Sequence, residues 1–112
     1  MNGLRGGAAL LAGALFVAGM SAANAAGKAP EVRVEISHFT FGPGTLTVSP
    51  GTRVVWVNRD DEPHIVVSAG DQFASSKALD TGDSYAAVFD KPGTYAYFCS
   101  IHPHMVGTVI VR

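Results

Sequence analysis

The sequence holds a single cysteine, Cys99, so no disulfide can form within the chain. Charge of one sign is also lacking. Eight Lys and Arg stand against nine Asp and Glu for a formal charge of −1, which excludes a polybasic module for nucleic acid or an anionic membrane surface. The uncharged apolar run at residues 8–20 falls short of the roughly 20 residues that a bilayer-spanning helix needs. Helical spacing of apolar residues is missing after Pro30, and so are internal repeats and low-complexity tracts. With 112 residues there is room for one domain and one modest core, too little for a large multi-step enzyme and small enough for a bound metal to help as a staple.

The first 25 residues read as a secretory signal that is cleaved. Arg5 supplies the positive start, residues 8–20 the apolar stretch, and Ala23-Asn24-Ala25 an A-x-A cleavage site. Residues 26–112 then form a single domain. Outside the cytoplasm a lone thiol needs either burial or a job, which makes Cys99 informative.

From Pro30 onward the pattern is all-β. Val32, Val34 and Ile36 alternate with Glu31, Arg33 and Glu35, the mark of a strand with one buried and one wet face. Phe39 and Phe41 continue an apolar face toward the Gly42-Pro43-Gly44 turn. Leu46 and Val48 alternate with threonines before Ser49-Pro50-Gly51 turns the chain again. Val54-Val55-Trp56-Val57 suits a central strand covered on both sides, with Trp56 in the core. Asp60, Asp61 and Glu62 read as a solvated loop tip. A strand is expected over residues 64–68, then a long polar connection over 69–83 with a helical turn at 75–79. Residues 84–89 and 95–98 read as a hairpin about the Lys91-Pro92-Gly93-Thr94 turn, and residues 106–111 close the chain. Seven to eight strands at this spacing predict a two-sheet Greek-key β-sandwich.

Chemistry-bearing side chains concentrate in Cys99-Ser100-Ile101-His102-Pro103-His104-Met105. A short loop between strands lets Cys99, His102 and Met105 turn toward one point, and His64 is placed to complete the group from a neighbouring part of the sandwich. Two imidazoles and a thiolate in a plane, with a weak axial thioether, make up the ligand set of a blue-copper electron-transfer site. The soft thiolate donates strongly, imidazole suits both oxidation states, and a rigid sandwich keeps the geometry the same in each. Trp56 is read as core rather than as an electron relay; His38 reads as exposed on the wet face and His104 as a surface neighbour, and neither is assigned to copper.

These residues resemble the cupredoxin family, closest to its amicyanin and plastocyanin branch. The matching text is Trp56-Val57-Asn58, Pro63-His64, the stretch from Pro92 through Met105, and Gly107-Thr108-Val109-Ile110-Val111, which covers essentially all of residues 26–112. The resemblance implies a periplasmic protein with one type 1 copper that passes single electrons and catalyses no reaction; the chain is expected to be a monomer. It implies His64, Cys99 and His102 as equatorial ligands and Met105 as the axial one. It also implies redox-protein partners, a dehydrogenase as donor and a c-type cytochrome as acceptor. The spacing from His102 to Met105 resembles the short amicyanin loop. One residue departs from the pattern: Ile65 stands where the family often has an Asn that ties the ligand loops together, and Ser100 is left as a substitute donor.

Other classes use the same residue types. A copper carrier that delivers its metal also draws on Cys, His and Met, although Met105 is the only methionine after residue 25. A cysteine hydrolase would need an oxyanion hole that no motif here supplies. A structural zinc site would take a closed Cys/His set without Met.

Overall fold

The structure, a computed structural model, describes residues 29–112. The expected signal and its cleavage site lie outside the described residues. Eight strands form: β1 (Glu31–Ser37), β2 (Thr40–Gly42), β3 (Thr45–Val48), β4 (Thr52–Asn58), β5 (Val66–Ser68), β6 (Ser84–Phe89), β7 (Gly93–Cys99) and β8 (His102–Val111). They make two four-stranded sheets, ordered β2-β1-β4-β6 and β3-β8-β7-β5. Both sheets are mixed, because β1 runs parallel to β4 and β3 parallel to β8.

The period-two pattern explains which side faces in. Val34 and Ile36 of β1, Val54 and Trp56 of β4, and Phe89 of β6 meet Tyr97 and Cys99 of β7 and Met105, Val109 and Val111 of β8 in one buried cluster. Outward-facing Val55 and Val57 are buried too, as expected for a central strand. Glu31 and Glu35 reach across from β1 to Arg53 and Arg59 at 3.0 and 2.9 Å. Those pairs are half exposed and add little stability, on the order of 0–1 kcal/mol each.

Tyr97 is opposite Gly107 in the β7–β8 ladder, and the missing side chain at Gly107 is what lets the tyrosine ring lie flat across the strand. That ring sits edge-on to Phe41 and Trp56, with centroids 4.8 and 5.3 Å away. Burial pushes the Tyr97 hydroxyl up to about 12, only partly offset by the Trp56 indole, because the two groups do not reach hydrogen-bond geometry.

Four local expectations are corrected. Residues 84–89 and 95–98 do not form a hairpin: β6 pairs with β4 and β7 with β8, so the intervening turn carries the chain from one sheet to the other. It does so because Phe89 and Tyr95 both turn inward, with ring centroids 5.0 Å apart. No helical turn forms at residues 75–79. That segment is extended, since the Ser76 and Leu79 amides donate to the Val66 and His64 carbonyls at 2.9 and 2.8 Å. The strand expected from residue 64 starts at Val66, and His64 is held by an isolated bridge to Leu79. The last strand begins at His102, four residues earlier than the alternation indicated, because the residues after Cys99 fold straight back to pair with it.

Candidate metal centre

Cys99 ends β7 and His102 opens β8, and the two are paired across a register shift at Phe98 and Cys99. The loop between them is only Ser100 and Ile101, so thiol and imidazole emerge side by side. His64 arrives from the other side, its main chain fixed to Leu79 by hydrogen bonds of 3.1 and 2.8 Å. Donor atoms of His64, Cys99 and His102 all lie within 4.8 Å of one another. Cys99 and His64 are fully buried, His102 is half-buried, and Met105 is buried in the same cluster as Cys99.

The distances suit one small ion. Cys99 Sγ stands 3.7 Å from Nδ1 of His64 and 3.7 Å from Nδ1 of His102. A thiolate at roughly 2.3 Å and an imidazole nitrogen at roughly 2.0 Å from one ion, lengths typical of zinc, would stand about 3.7 Å apart at a trigonal angle. A donor set of one soft sulfur, two imidazoles and a nearby thioether fits copper better than zinc. The Ile65 amide lies 3.4 Å from Cys99 Sγ, placed to donate to the sulfur. This main-chain contact survives the Ile65 departure, because every residue but proline keeps its N–H. Ser100 is exposed and makes no side-chain hydrogen bond among the described residues.

The segment that carries His64 is tied down by residues to which the sequence pattern assigned no role. Asn58 is fully buried: its Nδ2 donates to the Glu62 and Leu79 carbonyls, both at 2.8 Å, and its Oδ1 accepts from the Asp60 amide at 2.9 Å. One side chain thereby joins the loop before His64 to the segment that brackets it. Ser76 adds a second tie, accepting from the Val66 amide at 2.8 Å.

Asp60 overturns the reading of the acidic loop as simply solvated. Asp61 and Glu62 are exposed, but the Asp60 side chain is only 12% exposed and its Oδ2 meets His64 Nε2 at 2.8 Å. This contact holds the imidazole so that Nδ1 faces the sulfur, as outer carboxylates do for metal-bound histidines. The same carboxylate accepts from the His38 and Phe39 amides at 2.7 and 2.9 Å. Burial raises the Asp60 carboxyl, yet the Phe39 amide, the His64 ring and the His38 amide together outweigh it and leave the group below the usual carboxylate range. A carboxylate four residues before a candidate ligand was the available sequence signal.

Phe39 is the other revision. Alternation places it in the core with Phe41, but His38 and Phe39 have φ of 54° and 58°, and this left-handed pair breaks the strand. Phe41 enters the core while Phe39 stays 41% exposed with its ring over both histidines. His38 and His104 are exposed, as expected, and neither belongs to the donor cluster.

The chain resembles known proteins along nearly its whole length. A family model described as cupredoxin-like domain matches residues 8–111. Amicyanin-alpha of Methylorubrum extorquens is 32% identical over 109 residues, covering 94% of this chain and 92% of that protein. Plastocyanin of Scenedesmus fuscus is 38% identical over 84 residues, covering 64% and 86%. Among solved structures, a purple cupredoxin from Nitrosopumilus maritimus superposes with a TM-score of 0.67 at 33% identity, covering 72% of this chain and 99% of that one. The eight-stranded sandwich, its clustered sulfur and imidazole donors and the extent of these matches agree: the chain belongs to the cupredoxins, a family that binds one type 1 copper.

Proposed function

We propose that this cupredoxin carries single electrons between redox proteins, with His64, Cys99 and His102 as equatorial ligands of its copper and Met105 as the axial one. The observation that carries the reading is the pair of equal 3.7 Å sulfur-to-nitrogen spacings in a site closed by buried side chains. Copper supplies the redox change between Cu(I) and Cu(II). The chain's own residues keep that change cheap. His64 is fixed from behind by Asp60, Cys99 is fixed by the ladder and by the Ile65 amide, and Asn58 locks the loop that leads to His64, so little can move when the charge changes.

Only His102 among the three donors is half-buried, which makes its ring the route to a partner. Ile101 beside it is 48% exposed and Pro103 is exposed, and Phe39 borders the same ring. Small apolar contact faces of this kind suit brief redox encounters. The partner classes that the resemblance implies are a dehydrogenase donor and a c-type cytochrome acceptor, and the setting is the periplasm, reached through the signal at residues 1–25. Burial of Cys99 and His64, and a single methionine at the site, favour retention of the metal over delivery.

Adding Cu(II) to the purified thiol form should give an intense blue or violet charge-transfer band, and Cys99→Ser should abolish it. A full band in Cys99→Ser, or none in the parent protein, would overturn the assignment.

A further inference from the structure

Phe39 costs the fold something that its packing does not return. It is a large apolar ring left 41% exposed, carried on the second of two consecutive residues in a left-handed conformation that L-residues rarely adopt. Such strain persists only where the surroundings hold it, and here the holder is identifiable. Asp60 accepts from the His38 amide through Oδ1, while its Oδ2 meets both the Phe39 amide and the His64 ring. One carboxylate oxygen therefore sets the seat of the phenyl ring and the orientation of a ligand together. Thr40 Oγ1 donates to the Ser37 carbonyl at 2.8 Å and closes the turn from its other end.

The ring so placed completes a triangle. Its centroid is 5.4 Å from that of His64 at 87° and 5.1 Å from that of His102 at 80°, and the two imidazoles are 5.1 Å from each other. Each of the three rings is edge-on or steeply inclined to its neighbours. The phenyl ring is thus an edge-on neighbour of both imidazoles at once. We propose that Phe39 is a positioning residue for both histidines, a roof that Asp60 latches over the metal centre and that slows loss of the metal. The proposal rests on the copper reading above and adds to it a residue that makes no bond to the metal. If Phe39 were only an exposed contact for partners, its removal would leave metal loss unchanged.

The test uses Phe39→Gly, Phe39→Ala and Phe39→Tyr. Glycine removes the ring and also relieves the left-handed backbone, so that variant keeps the turn; tyrosine keeps the ring. Loss of Cu(I) from each reduced protein to excess bathocuproine disulfonate is followed by the colour of the chelate. Removing two edge-on ring contacts should speed loss about tenfold in the glycine and alanine variants, equal to about 1.4 kcal/mol, with Phe39→Tyr within about twofold of the parent. The oxidised variants should keep the blue band, since every donor remains.

A second arm needs no metal. Ring resonances of His64 and His102 in the ¹⁵N-labelled apo protein should broaden or multiply in Phe39→Gly and stay as in the parent in Phe39→Tyr. Metal loss at the parent rate in Phe39→Gly, or unchanged apo ring resonances, would overturn the roof. If the parent protein takes up no copper, the copper reading falls, and the apo spectra still decide whether Phe39 holds the two rings.

Discussion

Gly107→Ala should be among the most damaging single-methyl additions in the domain. A Cβ at residue 107 would lie 2.8 Å from Cε2 of Tyr97 and nearer still to its Cζ and hydroxyl oxygen. Carbon atoms sit comfortably at about 3.5–4.0 Å, so the ring must retreat by more than about 1 Å. It has nowhere to go: Tyr97 is 1% exposed, with Phe41 and Trp56 edge-on against it. The alternative is to push β8 away from β7, which breaks the ladder that carries Cys99 and His102. Overpacking of this kind costs about 1–3 kcal/mol, and the upper end applies because neither ring nor central strand has slack. For a domain of this size about 3 kcal/mol lowers the melting temperature by about 12–24 °C. Thermal unfolding of the apo protein, followed by circular dichroism, measures the change. The double variant Gly107→Ala/Tyr97→Leu should lose much less than the sum of its parts, since the smaller side chain vacates the collision. A drop under about 4 °C for Gly107→Ala, or full additivity in the double variant, would refute the close approach.

Two pH dependences follow from the buried groups. Asp60→Asn replaces an acceptor of three hydrogen bonds by an amide that must turn a donor toward one of them, and should cost the apo protein about 1–3 kcal/mol near neutral pH. Because the folded carboxyl lies below its ordinary value, that gap is present above about pH 4 and closes as acid protonates Asp60, which urea titrations at a series of pH values will show. At the other extreme, the folded Tyr97 hydroxyl stands at about 12 against an ordinary 10.0. Its neutral form stabilises the fold fully below about pH 10, and that contribution is lost as the pH rises toward about 12. Tyr97→Phe should therefore lose less stability than the parent across that window, while at neutral pH it changes little because the hydroxyl has no partner to forfeit.

The sandwich was legible in the sequence because alternation along β1 and β3 survives intact, where a strand with one wet face announces itself every second residue, and because the unbroken apolar run of β4 marks a strand covered on both sides. Cys99, His102 and Met105 were legible because seven residues of chain can scarcely separate them. Partnership between sheets was not. Nothing local to Ser84 or Tyr95 says that the turn between them changes sheets, since that is decided by where Phe89 and Tyr95 find a core to enter. Phe39 was misplaced for a related reason: parity carries across a run only while the backbone stays extended, and the left-handed pair at His38 and Phe39 resets it. Asp60 and Asn58 act through a loop whose shape they themselves create, so their roles become visible only once the loop is folded. The helical turn expected at residues 75–79 lost to longer-range bonding, because Leu79 and Ser76 are needed as main-chain partners for His64 and Val66.

The parallel pairing of β3 with β8 imposes an order on assembly. Residues 45–48 find their partners at 108–111, almost at the end of the chain, and β8 lies between β3 and β7 in its sheet. Closing so long a loop before any ladder contact rewards it is slow, which places this topology among the slower-folding small domains. His102 and Met105 ride on that same strand. Until that strand docks, Cys99, His102 and Met105 stay near one another along the chain but have no fixed geometry and no His64 held beside them, and a metal ion arriving early meets a loose set of donors instead of the closed cluster. Selectivity for the right ion thus begins as a matter of timing: the cage exists only once the chain has committed to its final strand.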